Sequence, residues 1–231
     1  MASLSPAGPY RTHFLNHPLP ALYAISDSRW AEGRSHAEIV NEFLEGGARW
    51  IQIREKEAAS GRFLAEARVC AELARRKGAL LFINDRPDIA WLAGAAGVHI
   101  GREDLPAGTI RGDLSGRLLI GQSTHSAAEA LRHHGDVDYV AIGPILPSPT
   151  AKRGWKPLGP EVLHRLRGRL AVPLIAIGGI RLTTAASILE AGADGIAVIS
   201  DLLQASSIRR RVREFLELIR TVRRGRGSES V

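Results

Sequence analysis

The sequence predicts an α/β fold in which a parallel sheet closes into a single (β/α)8 TIM barrel, and three observations favour it. The chain has 231 residues, a length that is typical of one such barrel. Apolar, strand-like runs alternate with helix-like stretches along most of the chain. Most of these runs are continuously rich in valine, isoleucine and leucine, as in strands covered on both faces. An open doubly wound sheet is the alternative, but the first strand lacks the glycine-rich turn of dinucleotide-binding folds.

Eight strands are predicted, over residues 21–26, 49–54, 80–84, 97–100, 118–122, 138–142, 174–178 and 195–200. Helices are predicted over residues 35–45, 60–77, 86–93, 127–134, 160–170, 183–191 and 206–223. The fourth crossover, residues 105–116, is only weakly helical. Ser35, Ser60, Ser126 and Thr183 are predicted to open helices, because their hydroxyls can accept from the amides of a first turn.

The barrel domain is predicted to span residues 21–223. Residues 1–20 form an N-terminal extension that contains four prolines, and residues 224–231 form a basic tail that we expect to be disordered. Cys70 is the only cysteine, which excludes an intrachain disulfide and fits a reducing compartment. No apolar run approaches the roughly 20 residues that span a bilayer. We therefore expect a cytoplasmic protein with no membrane partner, and its oligomeric state, including a homo-oligomer, stays open.

The formal net charge of +7 raises the question of nucleic-acid binding. Only four of the 31 basic residues are lysines, and much of the arginine excess lies between residues 209 and 226, on or after the last helix. Aromatic side chains that would stack on bases are nearly absent there. A solvated helix face is therefore favoured over a nucleic-acid site, and the positive charge remains compatible with small anionic substrates.

Cationic residues follow the second strand. Side-chain alternation places Gln52, Arg54 and Lys56 on one face, towards the mouth of the barrel. A guanidinium fork and an ammonium group both suit the oxygens of a diphosphate. Taken alone, the segment fits equally well with Arg54 and Lys56 pairing with Glu55 and Glu57 on a surface loop.

Two carboxylates follow the next two strands. Asp85 comes after Asn84 at the end of the third strand, and Asp104 follows the fourth. Because the strand ends of a barrel meet at one rim, these carboxylates can share one Mg²⁺ whose other ligands are water and phosphate. Taken singly, Asp85 could cap the helix beginning at Arg86, and Asp104 could be a turn residue before Pro106. Beside the cationic segment, the pair favours a metal site.

Hydroxyl groups and a histidine follow the fifth strand. Ser123 and Thr124 offer hydroxyls, and His125 offers a group that titrates near neutrality. The Gly-x-Ser-x-Gly pattern of an activated nucleophile is absent, so Ser123 is predicted to hydrogen-bond a heteroaromatic substrate. Helix capping is the alternative role, with Ser126 as the leading candidate for it.

The loops after the last three strands are predicted to bind phosphate. Residues 143–155 are rich in proline, glycine and polar residues and have about the length of a mobile active-site loop, in which Lys152 and Arg153 could close over phosphates. A solvated connector is the alternative. Backbone N–H groups around Gly179 and before Ser200 are predicted to bind phosphate, because many barrels have a phosphate site at their last two loops.

Eight segments within residues 21–204 resemble the thiamine phosphate synthases, and they occur in the same order. They are LYAISD, QIREK, INDRPDIA, GVHIGREDLP, GQSTHS, IGPILPSPT, AIGGI and AGADGIAVIS. The ordered set is specific, whereas single segments are not. The resemblance implies a (β/α)8 barrel and a Mg²⁺-dependent transferase. Its members join 4-amino-2-methyl-5-pyrimidinylmethyl diphosphate to 4-methyl-5-(2-phosphoethyl)thiazole and release diphosphate and thiamine phosphate.

The resemblance also implies roles for single residues. The pyrimidine diphosphate contacts are Gln52, Arg54, Lys56, Asn84 and, on the pyrimidine, Ser123. The Mg²⁺ ligands are Asp85 and Asp104. The thiazole phosphate contacts are Ser148, Pro149, Thr150, Gly179, Ile199 and Ser200, with Lys152 reaching the same phosphate. The catalytic residues are then Arg54, Lys56, Ser123 and Lys152.

Three departures from the family pattern leave alternatives open. Arg102 stands where the family usually has glutamine. The loop after the sixth strand usually reads Thr-x-Thr-Lys, and here the lysine is Lys152, one position late. Residues 154–159 resemble the thiazole tautomerase-like proteins, which shift a proton on the thiazole phosphate without metal; that alternative uses His125 as acid and base. A non-catalytic binder of thiamine precursors or nucleic acid is a further alternative.

Overall fold

The computed structural model describes residues 20–114, 117–133, 135–151 and 154–228, and these contain a closed barrel of eight parallel strands. The strands are β1 Leu22–Asp27, β2 Trp50–Arg54, β3 Leu80–Asn84, β4 Gly97–Ile100, β5 Leu119–Thr124, β6 Tyr139–Ile142, β7 Leu174–Ile177 and β8 Gly195–Val198. The barrel closes where Leu22 of β1 pairs with Ile196 of β8. The predicted fold is therefore confirmed, and the open sheet is excluded because β1 and β8 are neighbours.

Helices follow the strands around the outside of the barrel. They are α1 His36–Gly46, α2 Ser60–Arg76, α3 Pro87–Ala93, α4 Ala107–Asp113, α5 Ala127–His133, α6 Glu161–Leu166, α7 Leu182–Glu190, α8 Ser200–Leu203 and α9 Ile208–Ser228, with a short 3₁₀ turn over Ser28–Trp30. The weakly helical fourth crossover contains α4. Helix α6 ends four residues before its predicted end, because Arg167 turns to an extended backbone with ψ of 126°.

Two of the four predicted helix starts are capped as expected. Ser35 forms a capping box with Glu38, and the Ser126 hydroxyl accepts from the N–H of Glu129. Ser60 is wrong as a cap: it is the first residue inside α2, and its hydroxyl accepts from the Arg86 guanidinium instead.

Thr183 is also wrong as a helix start. It lies one residue inside α7, which begins at Leu182. The hydroxyl that accepts a backbone N–H at this end belongs to Thr184, and the donor is Arg181. The choice between two adjacent threonines depends on the direction in which the chain enters the helix, which residue type does not reveal.

Aromatic rings fill the interior of the barrel. Tyr23 stacks on Trp50 with ring centroids 4.0 Å apart, and Phe82 and Tyr139 meet Tyr23 edge to face. These side chains are almost completely buried. Their rigid packing supports the cavity at the carboxyl ends of the strands.

The basic C-terminal helix belongs to the barrel. Helix α9 packs against α1 and α7 through an apolar face of Ile208, Val212, Phe215 and Ile219. Two arginines also bind carboxylates of neighbouring elements: Arg209 contacts Glu42 at 2.8 Å, and Arg211 contacts Asp201 at 2.7 Å. The prediction of a merely solvated face is therefore wrong for these two arginines, because acidic partners on other elements lie opposite them.

The last helix continues further than predicted, through Ser228, where a disordered tail was expected from residue 224 onwards. Arginine is a good helix former, which favours this continuation. Residues 1–19 and 229–231 lie outside the described residues, as do positions 115–116, 134 and 152–153. Within the part that is described, no helix combines the length and apolar character needed to cross a membrane.

We expect α9 to contribute strongly to stability. Phe215 is fully buried in its apolar face, so Phe215→Ala should lower the free energy of unfolding by about 3–5 kcal/mol through lost burial and a new cavity. Urea denaturation measures this change. Glu217→Ala, on the exposed face of the same helix, is the matched control and should change stability by about 0.5 kcal/mol or less. Equal losses in both variants would contradict the assignment of α9 to the barrel core.

Candidate active site

A cavity of about 500 Å³ opens at the carboxyl ends of the strands. Active sites of (β/α)8 barrels lie at this end, and the volume falls in the range of roughly 300–1,000 Å³ that is typical of small-molecule sites. The loops after all eight strands contribute to its wall. The predicted site residues on this wall are Gln52, Arg54, Lys56, Asn84, Asp85, Asp104, Ser123, Ser148, Thr150 and Ile199.

A second cavity of about 260 Å³ lies beside the loops after β6, β7 and β8. It contains the predicted residues Pro149, Gly179 and Ser200, together with Arg181 and Arg211. The residues predicted for the thiazole phosphate are thus divided between two cavities, both bordered by the loop after β6. Lys152, predicted in the same loop, lies outside the described residues.

Arg54 is held at the end of β2 by a buried carboxylate. Its Nη1 donates to Oδ2 of Asp27 at 2.7 Å, and the Asp27 side chain is only 1 % exposed. Arg29 binds the same carboxylate through Nε and Nη2, at 3.2 and 3.0 Å. Because two guanidinium groups share one carboxylate, this wall keeps a net positive charge. The surface-loop pairing considered for Arg54 is wrong in its partner: Glu55 accepts instead from the backbone N–H of Glu57.

The charge of Asp27 depends on these arginines. Burial opposes its ionisation, but the hydrogen bonds from Arg29 and the charge of Arg54 outweigh burial and lower the pKa of Asp27 below its usual value. Asp27 therefore stays ionised and fixes the orientation of Arg54 at the cavity.

Lys56 connects the cationic segment to the acidic one. Its Nζ forms an ion pair with Oδ2 of Asp85, and the Lys56 side chain is 45 % exposed. Asp85 has a left-handed backbone with φ of 62°, and its N–H donates to the carbonyl of His99 at 2.8 Å. The helix-cap interpretation of Asp85 is wrong, because α3 begins at Pro87 and its N-cap position, Arg86, makes no side-chain cap bond.

Asp104 lies beside Asp85, as their positions after adjacent strands predict. Oδ2 of Asp104 accepts from the N–H of Gly101 at 2.6 Å, so this residue also shapes the turn after β4. Burial, together with a hydrogen bond to the Asp85 carboxyl, raises the pKa of Asp104 to about 6. The two carboxyls therefore repel each other when both are ionised.

This acidic pair fits a hard divalent cation. Mg²⁺ usually binds through one or two carboxylates and fills its remaining positions with water and substrate phosphate. The repulsion between Asp85 and Asp104 is the electrostatic condition that a cation relieves. Among the residues that the structure describes, no cluster of three or more histidine, cysteine, aspartate or glutamate side chains is arranged to hold a metal. Asp85 and Asp104 therefore fit a Mg²⁺ ion whose other ligands would be water and substrate phosphate. A metal site made only of protein side chains is not seen in the described residues.

Ser123 faces the cavity with a histidine behind it. Its Oγ lies 2.8 Å from Nε2 of His99, and Nδ1 of His99 lies 2.9 Å from Oη of Tyr139. Burial lowers the pKa of His99 to about 4, and the nearby charge of Asp85 opposes this only partly. So weak a base does not activate a serine, in agreement with the binding role predicted for Ser123. The capping alternative belongs to Ser126.

Gln52 reaches inward from β2 on the other side of the cavity. Its Nε2 donates to Oη of Tyr23 at 2.7 Å, and Oη of Tyr139 donates to the same atom at 2.9 Å. Asn84, at the end of β3, is buried and lines the cavity between the cationic and acidic segments.

The loop after β6 is bound to the end of β7. The N–H of Ile145 donates to the carbonyl of Ile177 at 2.9 Å, and the hydroxyls of Ser148 and Thr150 lie 3.0 Å apart at the cavity. Gly179 has φ of 71°, and a Cβ there would overlap the carbonyl oxygen of Pro147. Glycine at this position is therefore what lets the loop approach, and the solvated-connector interpretation is wrong for this part of the loop.

His125 lies on the cavity wall beside Trp155. Its Nδ1 donates to the carbonyl of Gly143 at 2.7 Å, and its ring centroid is 3.5 Å from that of Trp155. Arg102, where the family pattern has glutamine, makes a two-pronged ion pair with Glu129 at 3.1 Å on each prong.

Sequence reasoning missed several residues that build the site. Asp27, Arg29, His99 and Tyr139 carry its hydrogen bonds, yet none of them was predicted to have a role in the site. The signal that could have found His99 is its position as the one polar side chain in the strand Gly97–Ile100. Arg29 offers no such signal, because it acts through a turn whose direction only the fold reveals.

Comparison with known proteins gives a consistent result. A family model described as thiamine monophosphate synthase matches residues 22–202. A thiamine-phosphate synthase of Chloroflexus aurantiacus is 38 % identical over 199 residues, covering 86 % of this chain and 92 % of the relative. One of Methanospirillum hungatei is 40 % identical, covering 86 % and 97 %. A solved structure of thiamine phosphate pyrophosphorylase from Pyrococcus furiosus is similar with a TM-score of 0.80 at 34 % identity, covering 87 % and 96 %.

We expect Asp27→Asn to destabilise the protein in a pH-dependent way. Folding lowers the pKa of Asp27, so its ionised carboxylate stabilises the protein. This stabilisation is fully present above the unfolded-state pKa of about 3.9 and is lost as the pH falls through the folded-state pKa. Urea denaturation at pH 7 should show a loss of about 2 kcal/mol, the range for hydrogen bonds to a charged group. At a pH below the folded-state pKa, the variant and the wild type should converge.

Asp88→Asn is the matched control for this prediction. Asp88 also pairs with an arginine, Arg86 at 2.6 Å, but its side chain is 54 % exposed. Exposed ion pairs contribute about 0–1 kcal/mol, so the effect at pH 7 should be smaller. If the loss caused by Asp27→Asn is the same at both pH values, the charge of Asp27 does not hold Arg54 in place.

Proposed function

The chain belongs to the thiamine monophosphate synthase family, and we propose that it joins 4-amino-2-methyl-5-pyrimidinylmethyl diphosphate to 4-methyl-5-(2-phosphoethyl)thiazole. The products are diphosphate and thiamine phosphate, so the enzyme is a transferase of the pyrimidinylmethyl group. One observation carries the proposal: Arg54, Lys56, Asp85 and Asp104 meet on the wall of one cavity. Departure of a diphosphate requires cations and a metal site together, and this wall offers both.

The cationic wall binds the diphosphate. Arg54 has five N–H donors, of which its bond to Asp27 uses only one, so the others can meet phosphate oxygens. Lys56 is half-exposed and pairs with Asp85, and its flexible side chain can turn from that carboxylate to a phosphate. Asn84 adds an uncharged polar group between them.

Asp85 and Asp104 would hold Mg²⁺. When bound there, the ion would neutralise charge on the departing diphosphate. Its presence would also offset the repulsion from Asp85, which adds to burial in raising the pKa of Asp104. Lys56 would then be released from Asp85 and become available to the substrate.

The reaction needs no nucleophilic side chain and no proton transfer by the protein. The carbon–oxygen bond breaks first, with its electron pair leaving on the diphosphate, and the aminopyrimidine delocalises the resulting positive charge. The ring nitrogen of the thiazole then supplies the electron pair of the new carbon–nitrogen bond. Ser123 and Gln52 orient the pyrimidine, and the cavity keeps water from the carbocation.

The loops after β6, β7 and β8 bind the thiazole phosphate. Ser148, Thr150 and Ile199 do so from the larger cavity. Pro149, Gly179 and Ser200 do so from the smaller one. Arg181 and Arg211 add positive charge beside these three residues. Lys152 is proposed to reach the same phosphate, and because it lies outside the described residues its role stays a prediction.

A proton shift on the thiazole phosphate is the second candidate, since His125 lies on the cavity wall. Its Nδ1 is used in the bond to the Gly143 carbonyl, so Nε2 would have to exchange the proton. The diphosphate and metal residues have no task in that reaction, which favours the synthase. The proposed partners are the two small-molecule substrates, without nucleic acid or membrane, and the proposed location is the cytoplasm.

A coupling assay with both substrates tests the synthase proposal directly. Purified protein should form thiamine phosphate when Mg²⁺ is present, EDTA should abolish product, and added Mg²⁺ should restore it. Lys56→Ala and Asp85→Ala should each lower turnover by about 10²–10³-fold, the range for losing one group that stabilises charge in a transition state.

Asp113→Ala controls for the loss of a carboxylate. Asp113 is exposed at the end of α4, outside both cavities, so this variant should keep wild-type turnover. Absence of product from folded wild-type protein with Mg²⁺ defeats the proposal. Metal-independent isomerisation of the thiazole phosphate that is lost in His125→Ala would instead support the proton-shift candidate.

A further inference from the structure

A buried chain of hydrogen bonds crosses the barrel beneath the larger cavity. It runs from Ser123 through His99, Tyr139 and Tyr23 to Gln52, with donor–acceptor distances of 2.8, 2.9, 2.9 and 2.7 Å in that order. Ser123 and Gln52 are its two ends, and both line the cavity. The chain therefore connects opposite walls of the substrate site through the barrel core.

The packing of the core holds the rings of this chain in place. The side chains of Tyr23, His99 and Tyr139 are at most 5 % exposed. Tyr139 occupies space that Gly121 leaves open, because a Cβ at position 121 would overlap the hydroxyl end of the Tyr139 ring. In so rigid a setting, each hydrogen bond of the chain needs one donor and one acceptor, so the proton position in one bond restricts the next.

The order of the protons can be followed from the Tyr23 end. Oη of Tyr139 donates its proton to Oη of Tyr23, so the Tyr139 oxygen is left to accept from His99. A neutral imidazole has one N–H and one lone pair, and both ring nitrogens of His99 face hydroxyl groups. Nδ1 of His99 therefore carries the hydrogen, and Nε2 accepts the hydroxyl proton of Ser123.

We propose that this buried chain makes Ser123 a pure hydrogen-bond acceptor towards the cavity, and so selects a pyrimidine that carries an amino group over one that carries an oxo group. The hydroxyl proton of Ser123 points away, to His99, and only its lone pairs face the substrate. An amino group can donate to them, whereas an oxo group would place two acceptors against each other. His99 and Tyr139 are thus positioning residues. The inference rests on the proposed function for the identity of the ligand.

The tautomer of His99 tests the proposed order of donors and acceptors in these hydrogen bonds, and no ligand is needed. Nitrogen-15 chemical shifts of the ring, measured by NMR on the labelled full-length protein, distinguish a protonated from an unprotonated ring nitrogen. We expect Nδ1 protonated and Nε2 unprotonated. A ring protonated at Nε2 would overturn the proposal, because Nε2 would then donate to Ser123 and leave the hydroxyl proton free to face the cavity. This result does not depend on whether the protein is a synthase.

Binding of two ligands tests the selectivity. The dissociation constants of 4-amino-2-methyl-5-pyrimidinylmethyl diphosphate and its 4-oxo analogue are measured without thiazole phosphate. Wild-type protein should prefer the amino compound by about tenfold or more, the size of effect from one unpaired buried polar group. Tyr139→Phe removes only the hydroxyl that accepts from Nδ1 of His99. It should lose most of this preference, because either tautomer then becomes available.

Ser26→Ala is the matched control. Ser26 forms a second buried serine–histidine pair, 2.7 Å from Nδ1 of His36, outside the cavity. This variant should keep the wild-type preference even where its stability falls. An unchanged preference in Tyr139→Phe, or no preference in the wild type, would overturn the proposal. If neither pyrimidine binds, the proposed function fails. The His99 tautomer alone then decides whether the buried hydrogen bonds direct the Ser123 hydroxyl proton towards His99.

Discussion

Closure of the parallel sheet is the constraint on which the site depends, because it forces the carboxyl ends of all eight strands to one rim. Charged groups that are remote in sequence then become neighbours in a partly buried space, where they interact strongly. Asp27 is ionised and shared by Arg54 and Arg29, so it leaves the cavity positive on one side. Asp85 and Asp104 repel each other on the adjacent side. One wall is thus suited to an anion and its neighbour to a cation.

The pairing of Lys56 with Asp85 connects these two walls. In the structure the ammonium group partly compensates the acidic pair, which is a task that a metal ion would take over. Binding of a metal–diphosphate complex would therefore replace one set of ion pairs by another without leaving a charge uncompensated. This exchange explains how a half-exposed lysine can pair with Asp85 and also serve a bound diphosphate. It also explains why removing one partner should affect the whole constellation.

The fold was predictable from the sequence because buried parallel strands leave long apolar runs and barrel helices alternate with them. The residues at strand ends, such as Arg54 and Asp85, were predictable for the same reason, since topology alone brings them together. The partners of these residues were not predictable. Asp27 and His99 act through contacts across the barrel, and which hydroxyl or guanidinium lies opposite them depends on register and packing. The predicted helix cap at Ser60 is wrong for the same reason, because its hydroxyl accepts a hydrogen bond from Arg86 in a neighbouring loop.

A crystal structure of the protein with Mg²⁺ and diphosphate tests most directly whether the metal ion and the diphosphate bind together at Arg54, Lys56, Asp85 and Asp104. We expect electron density for a single ion between the carboxylates of Asp85 and Asp104, with diphosphate oxygens on that ion, on Arg54 and on Lys56. We also expect that Lys56 no longer contacts Asp85 in this complex. An ion bound elsewhere, or a diphosphate that avoids these side chains while Lys56 stays on Asp85, would rule out the shared metal and diphosphate site.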